Sequence, residues 1–446
     1  MSESVVDPDR TTDGAPSDPG HRVLDLAMRV GDALLSAGMS ANDVVVLMLR
    51  ITGAYRLRRV HVDVTYTAIS ASYYPSAGAP PHTSIRVVHP DVIDYTRVRR
   101  LDRLCAQIEA GLPLDEAVAA FDRISSARQP YPRLVSALGN AAVGPAVSLL
   151  FTISWKLMLI TFVTNLVLDR ILTGLNRRRV PPFFQNFAAA TLVTLVAAGI
   201  TYAGSHGVSF LAGVDPTLVV VGGIILLVAG MMIVGAVQDA IDEFYVTASA
   251  RVLAVVIRTA GIVAGIAVGL RIAQQLGAPL TISASPVALG PVGTTIIGAS
   301  LIAAFYAIWA YADAITIVLS ATMALLGWMT YTTMRELQAG DILANATGAL
   351  VAALVTTLLV RRTSVPGFGL ISAALLPLVP GLSLYNGLLQ LVGTSPHTAD
   401  PAGGAATLLL AFGVALGIGA GASLGTFLGR PIVEQLRRIP LRRKRP

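Results

Sequence analysis

The hydrophobic pattern divides this chain into a mixed front part and a strongly apolar remainder. Apolar and polar positions alternate at short range in residues 21–130, whereas long apolar runs dominate after about Pro130. A helix needs about 20 apolar residues to cross a bilayer. We predict about ten such segments, at 134–152, 154–173, 184–204, 217–237, 250–271, 292–311, 313–332, 341–360, 370–391 and 404–429. The pattern therefore indicates an all-α polytopic membrane protein behind a small α+β domain.

Shorter periodicities predict the elements of the front part. Apolar residues at helical spacing, strands with period-two alternation and turn residues can be followed from His21 to Arg123. The predicted helices cover 22–37, 40–54, 94–110 and 113–123, and the predicted strands cover 60–70 and 85–88. Gly38 ends the first helix, and Ser40 or Asn42 caps the second. We assign 1–20 to a disordered tail and 21–130 to a soluble N-terminal domain.

A glycine-containing apolar pattern occurs twice in the membrane part. Residues 223–230 return as residues 374–381, which is 151 positions later. Glycines at every fourth position, at 261, 265 and 269, return at 413, 417 and 421 with an offset of 152. Asn186 returns as Asn345 with an offset of 159. We therefore predict two related halves, 131–275 and 292–429, joined by a linker at 276–291 and followed by a basic tail at 430–446.

Charged residues near the segment ends predict the orientation. Fourteen Lys and Arg residues fall on one set of connections and the tail, and three (Lys156, Arg271 and Arg335) on the other. Because basic residues favour the cytoplasmic side, both termini are expected in the cytoplasm. Equivalent segments are then five crossings apart, so the two halves run in opposite directions. Such an inverted repeat is characteristic of secondary transporters.

Interrupted apolar segments at matching positions are the best pointer to a transporter's substrate site. The fourth segment contains Gly223 and Gly230, and the ninth contains Pro377, Pro380 and Gly381. The backbone groups freed at these breaks suit a zwitterionic amino acid, although a kink that serves packing alone is the competing interpretation.

Polar residues follow both breaks and extend the candidate substrate site. Ser383, Tyr385 and Asn386 are candidates to contact the substrate side chain, with interhelical hydrogen bonding as the alternative. Asn186 and Asn345 open equivalent segments, where they either cap the helix or face a central cavity.

A proton-coupled carrier needs a titratable group close to the membrane. Asp239 follows the fourth segment, Asp313 lies between segments six and seven, and Asp341 begins segment eight. Each could carry a proton, or each could be a solvated or capping residue near the interface. The sequence does not identify the proton carrier.

Composition narrows the function classes. With 54% hydrophobic and only 13% charged residues, the chain is too apolar for a soluble protein. The net charge is +7, and the basic residues lie beside apolar segments. This placement is typical of residues that orient a membrane protein and does not indicate nucleic-acid binding. Cys105 is the single cysteine, expected to be a buried helix residue, and no cofactor or metal site is predicted. The glycine faces are expected to pack helices and would permit a homodimer.

Specific stretches of the chain resemble the threonine/serine exporter family of bacteria. They are Val221–Gly230, Val237–Ala240, Val246–Arg251 and, most specifically, Leu376–Gly387. The fourth segment departs from that pattern, with Leu227 and Ala229 where many members have prolines. The resemblance implies a non-enzymatic carrier in the inner membrane that exports L-threonine and L-serine with the proton motive force, through ten segments behind a hydrophilic domain.

Two alternatives from other classes stay open. One is a channel for another small solute. The other is an exporter whose front domain is a peptide hydrolase, because His61, Asp63 and Tyr66 lie close together in the sequence. No nucleophile or metal-ligand spacing accompanies these three residues, and a solvated strand face is the simpler interpretation.

Overall fold

The computed structural model of the protein describes residues 19–76, 78–88, 93–224, 227, 230–278, 288–363, 367–392 and 400–438. Nearly all of the predicted tail at 1–20, most of the predicted linker at 276–291 and the end of the basic tail lie outside the described residues.

The first seven elements form a region with its own hydrophobic core. They are α1 (Pro19–Ser36), α2 (Ala41–Ala54), β1 (Val60–Thr65), β2 (Ala68–Tyr73), β3 (His82–Val87), α3 (Tyr95–Glu109) and α4 (Leu114–Ser126). We call residues 19–126 the N-terminal region. Ser40 caps α2 by accepting a hydrogen bond from the Asp43 amide, as predicted. Cys105 is buried in α3, which is also as predicted, and its burial raises the pKa of the thiol to about 12.

The sheet differs from the sequence prediction. Three antiparallel strands in the order β1-β2-β3 replace the two expected, because the predicted strand at 60–70 turns back at Tyr66 and Thr67. Thr65 pairs with Ala68 across this two-residue turn. The alternation continues through the turn, and neither residue is the Gly or Asn that usually marks a hairpin. The prediction of one strand was therefore wrong.

The remaining elements are helices, which fall into two groups along the chain. The first group is α5 (Arg133–Ser148), α6 (Trp155–Arg177), α7 (Pro182–Ser205), α8 (Pro216–Ile224), α9 (Gly230–Ile241) and α10 (Tyr245–Gln275). The second group is α11 (Val292–Trp309), α12 (Ala314–Glu336), α13 (Asp341–Thr363), α14 (Gly367–Leu375), a 3₁₀ turn (Leu376–Leu378), α15 (Gly381–Val392) and α16 (Pro401–Arg438).

Membrane crossing is supported by helix length and composition. Among the described residues, seven helices are long and apolar enough to span a bilayer, or eight if the bent pair α14–α15 is one span. Val256, Val318 and Leu409 are more than half exposed on the outside of the bundle, where lipid would surround them. Helix α5 is shorter than predicted: it contains Pro145 and ends at Ser148, after 16 residues.

The helix starts repeat at constant intervals. Helices α5, α6 and α7 begin at Arg133, Trp155 and Pro182, and α11, α12 and α13 each begin 159 residues later. Helices α8 and α9 begin at Pro216 and Gly230, and α14 and α15 each begin 151 residues later. The pairs of helices that pack together in the first group have counterparts in the second, such as α7 with α10 and α13 with α16.

The first helices of the two groups pack against each other in opposite directions. Gly139, near the start of α5, lies against Ile308 at the end of α11, and Gly298, near the start of α11, lies against Leu149 at the end of α5. Both glycines and both contacted residues are 159 positions apart. The contact is therefore reciprocal, as expected around a pseudo-twofold axis.

The two glycine faces are packing faces, as predicted. A Cβ on Gly265 would lie 2.3 Å from the carbonyl oxygen of Phe187 in α7, and one on Gly421 would lie 2.1 Å from that of Ala346 in α13. Only glycine lets these helix backbones approach so closely. Because neighbouring helices of the same chain cover both faces, the glycines provide no argument for a homodimer.

The N-terminal region rests on one end of the helix bundle. The Tyr95 amide donates to the Ala310 carbonyl oxygen at 2.8 Å, and the Thr96 hydroxyl donates to that of Tyr311 at 2.6 Å. On the other side of the region, the Thr247 hydroxyl donates to the Val64 carbonyl oxygen at 3.0 Å. These bonds attach the region to the α11–α12 turn and to the start of α10.

Candidate functional site

The predicted break in the ninth segment is present between α14 and α15. Pro377 lies in the 3₁₀ turn, and the helices on either side of Val379 and Pro380 are bent by 47°. The Pro380 carbonyl oxygen accepts the Leu384 amide at 3.0 Å, and Gly381 begins α15. Each proline lacks a backbone donor, so regular helical bonding stops here and resumes one turn later.

Polar side chains on α15 are buried after this break. Tyr385 and Asn386 are 3% and 4% exposed, and Ser383 is half-buried. Among the described residues, the Tyr385 hydroxyl and the Asn386 Oδ1 have no hydrogen-bond partner. Buried polar atoms are nearly always paired, so an unpaired hydroxyl and amide oxygen on neighbouring residues suggest a ligand that completes them.

The fourth segment is interrupted between α8 and α9. Gly223 is buried near the end of α8, where a Cβ would lie 2.8 Å from Val193 Cγ1, and Gly230 begins α9. Leu227 and Ala229 stand where many members of the resembled family have prolines. Leu227 lies in the turn that follows α8, and Ala229 lies outside the described residues.

Sequence reasoning missed the residue that pairs with the end of α8. The Asn165 amide on α6 donates to the Gly222 carbonyl oxygen at 3.1 Å, and Asn165 is 3% exposed. An unpaired carbonyl at a broken helix is costly in a membrane, and this side chain satisfies it. A single asparagine within an apolar segment was the available signal.

Asn186 and Asn345 do not cap their helices, so the first of the two predicted alternatives does not hold. The Asn186 amide donates across to the Arg258 carbonyl oxygen on α10 at 3.2 Å. The Asn345 amide donates to the Asp341 carbonyl oxygen, four residues earlier in α13, at 2.8 Å. Both asparagines lie one turn inside the helix, where the amide groups are already bonded within it.

Asp239 is buried in a salt bridge between α9 and α10. Its carboxylate is fully buried, with Oδ2 3.1 Å from Arg251 Nε, and its Oδ1 accepts the Ala41 amide at 3.0 Å. Arg251 also donates to the Met39 carbonyl oxygen at 3.1 Å. The pair therefore connects two membrane helices to the α1–α2 turn of the N-terminal region.

Asp313 and Asp341 are engaged near helix starts. Asp313 precedes α12 and contacts Arg99 of the N-terminal region and the Thr316 hydroxyl. Partial burial raises the Asp313 pKa, but the hydrogen bonds from Thr316 and Arg99 outweigh this effect, and the net shift is downward. Asp341 begins α13 in a partly exposed salt bridge with Arg335.

A cavity of about 1220 Å³ lies between the N-terminal region and the bundle. Helices from both groups line it, namely α9 and α10 from the first and α11, α13, α14 and α16 from the second. Its polar lining includes Gln238, Arg258, Ser372 and Ser423. The predicted residues Ser383, Tyr385 and Asn386 do not line it, so the predicted site and the cavity are separate places.

Arg258 is a second residue that sequence reasoning missed. It lies within the apolar helix α10, where the other large residues nearby are Val255, Val256 and Ile257. A charged residue inside a membrane helix is costly and marks a functional position by default. The prediction of orientation used only basic residues near segment ends, and Arg258 lies inside a segment.

Two protein-family profiles match successive parts of the chain. The profile described as "Putative threonine/serine exporter" matches residues 25–273, and the profile described as "Threonine/Serine exporter, ThrE" matches residues 295–425. No solved structure matches the chain.

Two curated proteins are similar over most of their length. A "Probable threonine/serine exporter" of Mycobacterium tuberculosis is 32% identical over 431 residues, which is 95% of this chain and 79% of the relative. A "Threonine/serine exporter" of Corynebacterium glutamicum is 30% identical over 428 residues, which is 94% of this chain and 84% of the relative.

Proposed function

We propose that this chain, which belongs to the threonine/serine exporter family, is a secondary transporter that exports small polar amino acids such as L-threonine and L-serine from the cytoplasm. The observation that carries the proposal is the pair of interrupted helices, α8–α9 and α14–α15, at equivalent positions of two groups of helices. Interrupted helices of this kind bind substrate in transporters built from inverted repeats.

The inverted five-plus-five repeat is supported by the spacing and the packing of the helices. Helix starts recur after 159 and then 151 residues, and the first helix of each group is antiparallel to its counterpart. With α8–α9 and α14–α15 each counted as one segment, each group has five segments. The boundary between the two family profiles, near residues 273–295, falls between the same two groups.

An orientation with the N-terminal region in the cytoplasm agrees with the contacts. This region bonds to the α11–α12 turn and to the start of α10, which are both cytoplasmic by the distribution of basic residues. At the other end, Gly290 donates to the Leu150 carbonyl oxygen, and Lys156 contacts Ser209. These four residues belong to connections that the same distribution puts outside.

We assign substrate binding to the α15 residues next to the break. The Tyr385 hydroxyl and the Asn386 Oδ1 are buried and unpaired among the described residues, and the hydroxyl and ammonium groups of threonine could complete them. Pro377, Pro380 and Gly381 keep the helix open here, with Gly223 and Gly230 in the equivalent part of the first repeat. Ser383 contributes a further hydroxyl.

The N-terminal domain, residues 21–130 in this proposal, regulates or gates transport. Its helix α3 and its α1–α2 turn are bonded to helices of opposite repeats, through Arg99–Asp313 and through Ala41–Asp239. Movement of one repeat relative to the other would therefore strain or release these contacts.

We further propose that the proton motive force drives export. Asp313 contacts Arg99 and the Thr316 hydroxyl, which favour its charged form at neutral pH. Asp239, fully buried beside Arg251, and Asp341, in a partly exposed pair with Arg335, are the two remaining candidates. A protonophore should abolish export against a gradient while leaving exchange of labelled for unlabelled threonine active.

The site is tested by threonine efflux from preloaded cells. Asn386→Ala, Tyr385→Phe and Pro380→Ala should each lower efflux at least about tenfold, because each removes a substrate contact or the break itself. Tyr385→Phe should leave the protein's stability unchanged, since its hydroxyl has no partner among the described residues. Wild-type efflux in all three variants would refute the site.

Matched controls separate the site from general damage. Asn176→Ala and Pro182→Ala change the same residue types at exposed helix ends and should leave efflux unchanged. Counterflow in proteoliposomes tests the class of protein: trapped unlabelled threonine accelerates uptake of labelled threonine by a carrier but not by a channel.

A further inference from the structure

The arginine inside α10 is the least explained charge in the membrane part. Arg258 is the fourteenth residue of a 31-residue apolar helix and is half-buried. An arginine at such depth normally pairs with a carboxylate or with backbone carbonyls, or faces a wet cavity. Arg258 lines the cavity of about 1220 Å³ between the N-terminal region and the bundle.

Arg251 provides an internal comparison on the same helix. The two arginines are seven residues apart, which is two helical turns, so they lie on one face. Arg251 is committed to Asp239 and to the Met39 carbonyl oxygen. In the part of the chain that the structure describes, the Arg258 guanidinium has neither an ion pair nor a hydrogen bond, and the Asn186 side chain bonds to the Arg258 backbone carbonyl instead.

The surroundings of Arg258 suit a small anion with further polar groups. Met231, Met232 and Leu375 give the cavity apolar walls, while Ser372 and Ser423 supply hydroxyls. An arginine among apolar walls binds a carboxylate in a bidentate manner, and the low polarity strengthens the pair.

The cavity also has negative groups that suit an ammonium. Asp242, Asp43 and Asp102 line its part beside the N-terminal region, where Arg50 and Arg430 also lie and Arg430 is 3.7 Å from Asp43. Burial raises the pKa of Asp242 and of Asp102; a hydrogen bond from the Asn42 side chain opposes the shift at Asp242, and the charge of Arg50 opposes it at Asp102. A cavity with Arg258 in one part and carboxylates in another suits a zwitterionic amino acid, whose carboxylate and ammonium carry opposite charges.

We propose that this cavity is a cytoplasmic loading site, in which Arg258 binds the α-carboxylate of the amino acid before it reaches the interrupted helices. This inference rests on the proposed function and adds a site apart from Tyr385 and Asn386, which do not line the cavity. The N-terminal region forms part of its wall and so contributes to substrate capture.

Binding of labelled threonine to the purified full-length protein in nanodiscs tests the proposal. Arg258→Gln should raise the Kd about ten- to a hundredfold, which is the usual effect of losing a charged hydrogen bond, and Arg258→Lys should raise it less. Arg271→Gln should change it by less than about twofold, because this exposed arginine near the far end of α10 does not line the cavity. Threoninamide, which lacks the carboxylate, should compete poorly with threonine for the wild type.

A second measurement keeps the test valid if Arg258→Gln folds poorly. Arg258→Cys in a Cys105→Ala background provides one thiol, which can be modified with a reagent that adds an ammonium or one that adds a sulfonate. The cationic reagent should restore threonine binding in part, and the anionic reagent should not.

Two results would overturn the inference. One is an Arg258→Gln protein that binds threonine with the wild-type Kd, and the other is threoninamide competing as well as threonine. If the wild type exports threonine while Arg258→Gln is unaffected, only the loading site fails. If the wild type neither binds nor exports threonine, the proposed function fails together with it.

Discussion

The buried salt bridge between Asp239 and Arg251 should be the most sensitive polar contact between the N-terminal region and the bundle. Replacing Arg251 with Met leaves the Asp239 carboxylate, which is 0% exposed, with the Ala41 amide as its one remaining partner among the described residues. Removing one member of a buried pair typically costs about 3–5 kcal/mol, because the remaining charge is uncompensated. The lost bond to the Met39 carbonyl oxygen is part of this cost.

The double variant tests the reason for the loss. Asp239→Asn together with Arg251→Met removes both charges, so it should cost less than the sum of the two single variants, by about 2 kcal/mol or more. Unfolding free energies can be measured by SDS titration in mixed micelles, followed by circular dichroism. Limited proteolysis within residues 127–132, between α4 and α5, would report release of the N-terminal region.

A partly exposed pair provides the control. Arg335 and Asp341 are 48% and 38% exposed, so Arg335→Gln should cost about 0–1 kcal/mol. If Arg251→Met costs no more than Arg335→Gln, or if the double variant loses the full sum of the singles, the buried pair does not hold these elements together.

Three further predictions follow from the packing and the titratable groups. Gly421→Ala should destabilise the protein by about 1–3 kcal/mol in the same titration, because its Cβ would lie 2.1 Å from the Ala346 carbonyl oxygen, whereas Gly199→Ala, with no atom within 4 Å, should not. The Asp313 pKa is lowered, so its contribution to stability should be present at neutral pH and lost as the pH falls below the usual 3.8; Asp313→Asn should flatten the dependence of the melting temperature on pH between about 3 and 5. A melting temperature that falls more steeply with decreasing pH in Asp313→Asn than in the wild type would contradict this prediction. Cys105, buried and with a pKa of about 12, should resist maleimide at pH 7 until the N-terminal region unfolds, and rapid labelling of the native protein would contradict its burial.

The apolar segments could be predicted from the sequence because a membrane helix satisfies its backbone hydrogen bonds within one segment. Length and hydropathy therefore decide each segment locally, and seven or eight of the ten predicted segments correspond, among the described residues, to helices long and apolar enough to cross a bilayer. The glycines at every fourth position could also be interpreted from the sequence, because the residues that share one face of a helix are fixed by their spacing along that helix. The three-stranded sheet could not be predicted in this way, because the alternation of apolar and polar residues continues through the turn at Tyr66 and Thr67.

Which groups meet was decided by the tertiary structure. Asn165 bonds to Gly222 from 57 residues away, and Asp239 bonds to Ala41 from 198 residues away. The spacing along the chain does not specify such partners, because they depend on how whole helices are arranged around one another. The same holds for Arg258, which one helix alone would leave facing lipid and which the assembled bundle turns towards a cavity. The sequence by itself determined that most of the chain forms long apolar helices, two of them interrupted, because each helix satisfies its own backbone. The packing of those helices decided which of the described polar side chains are paired and which are not, because partners come from distant parts of the chain.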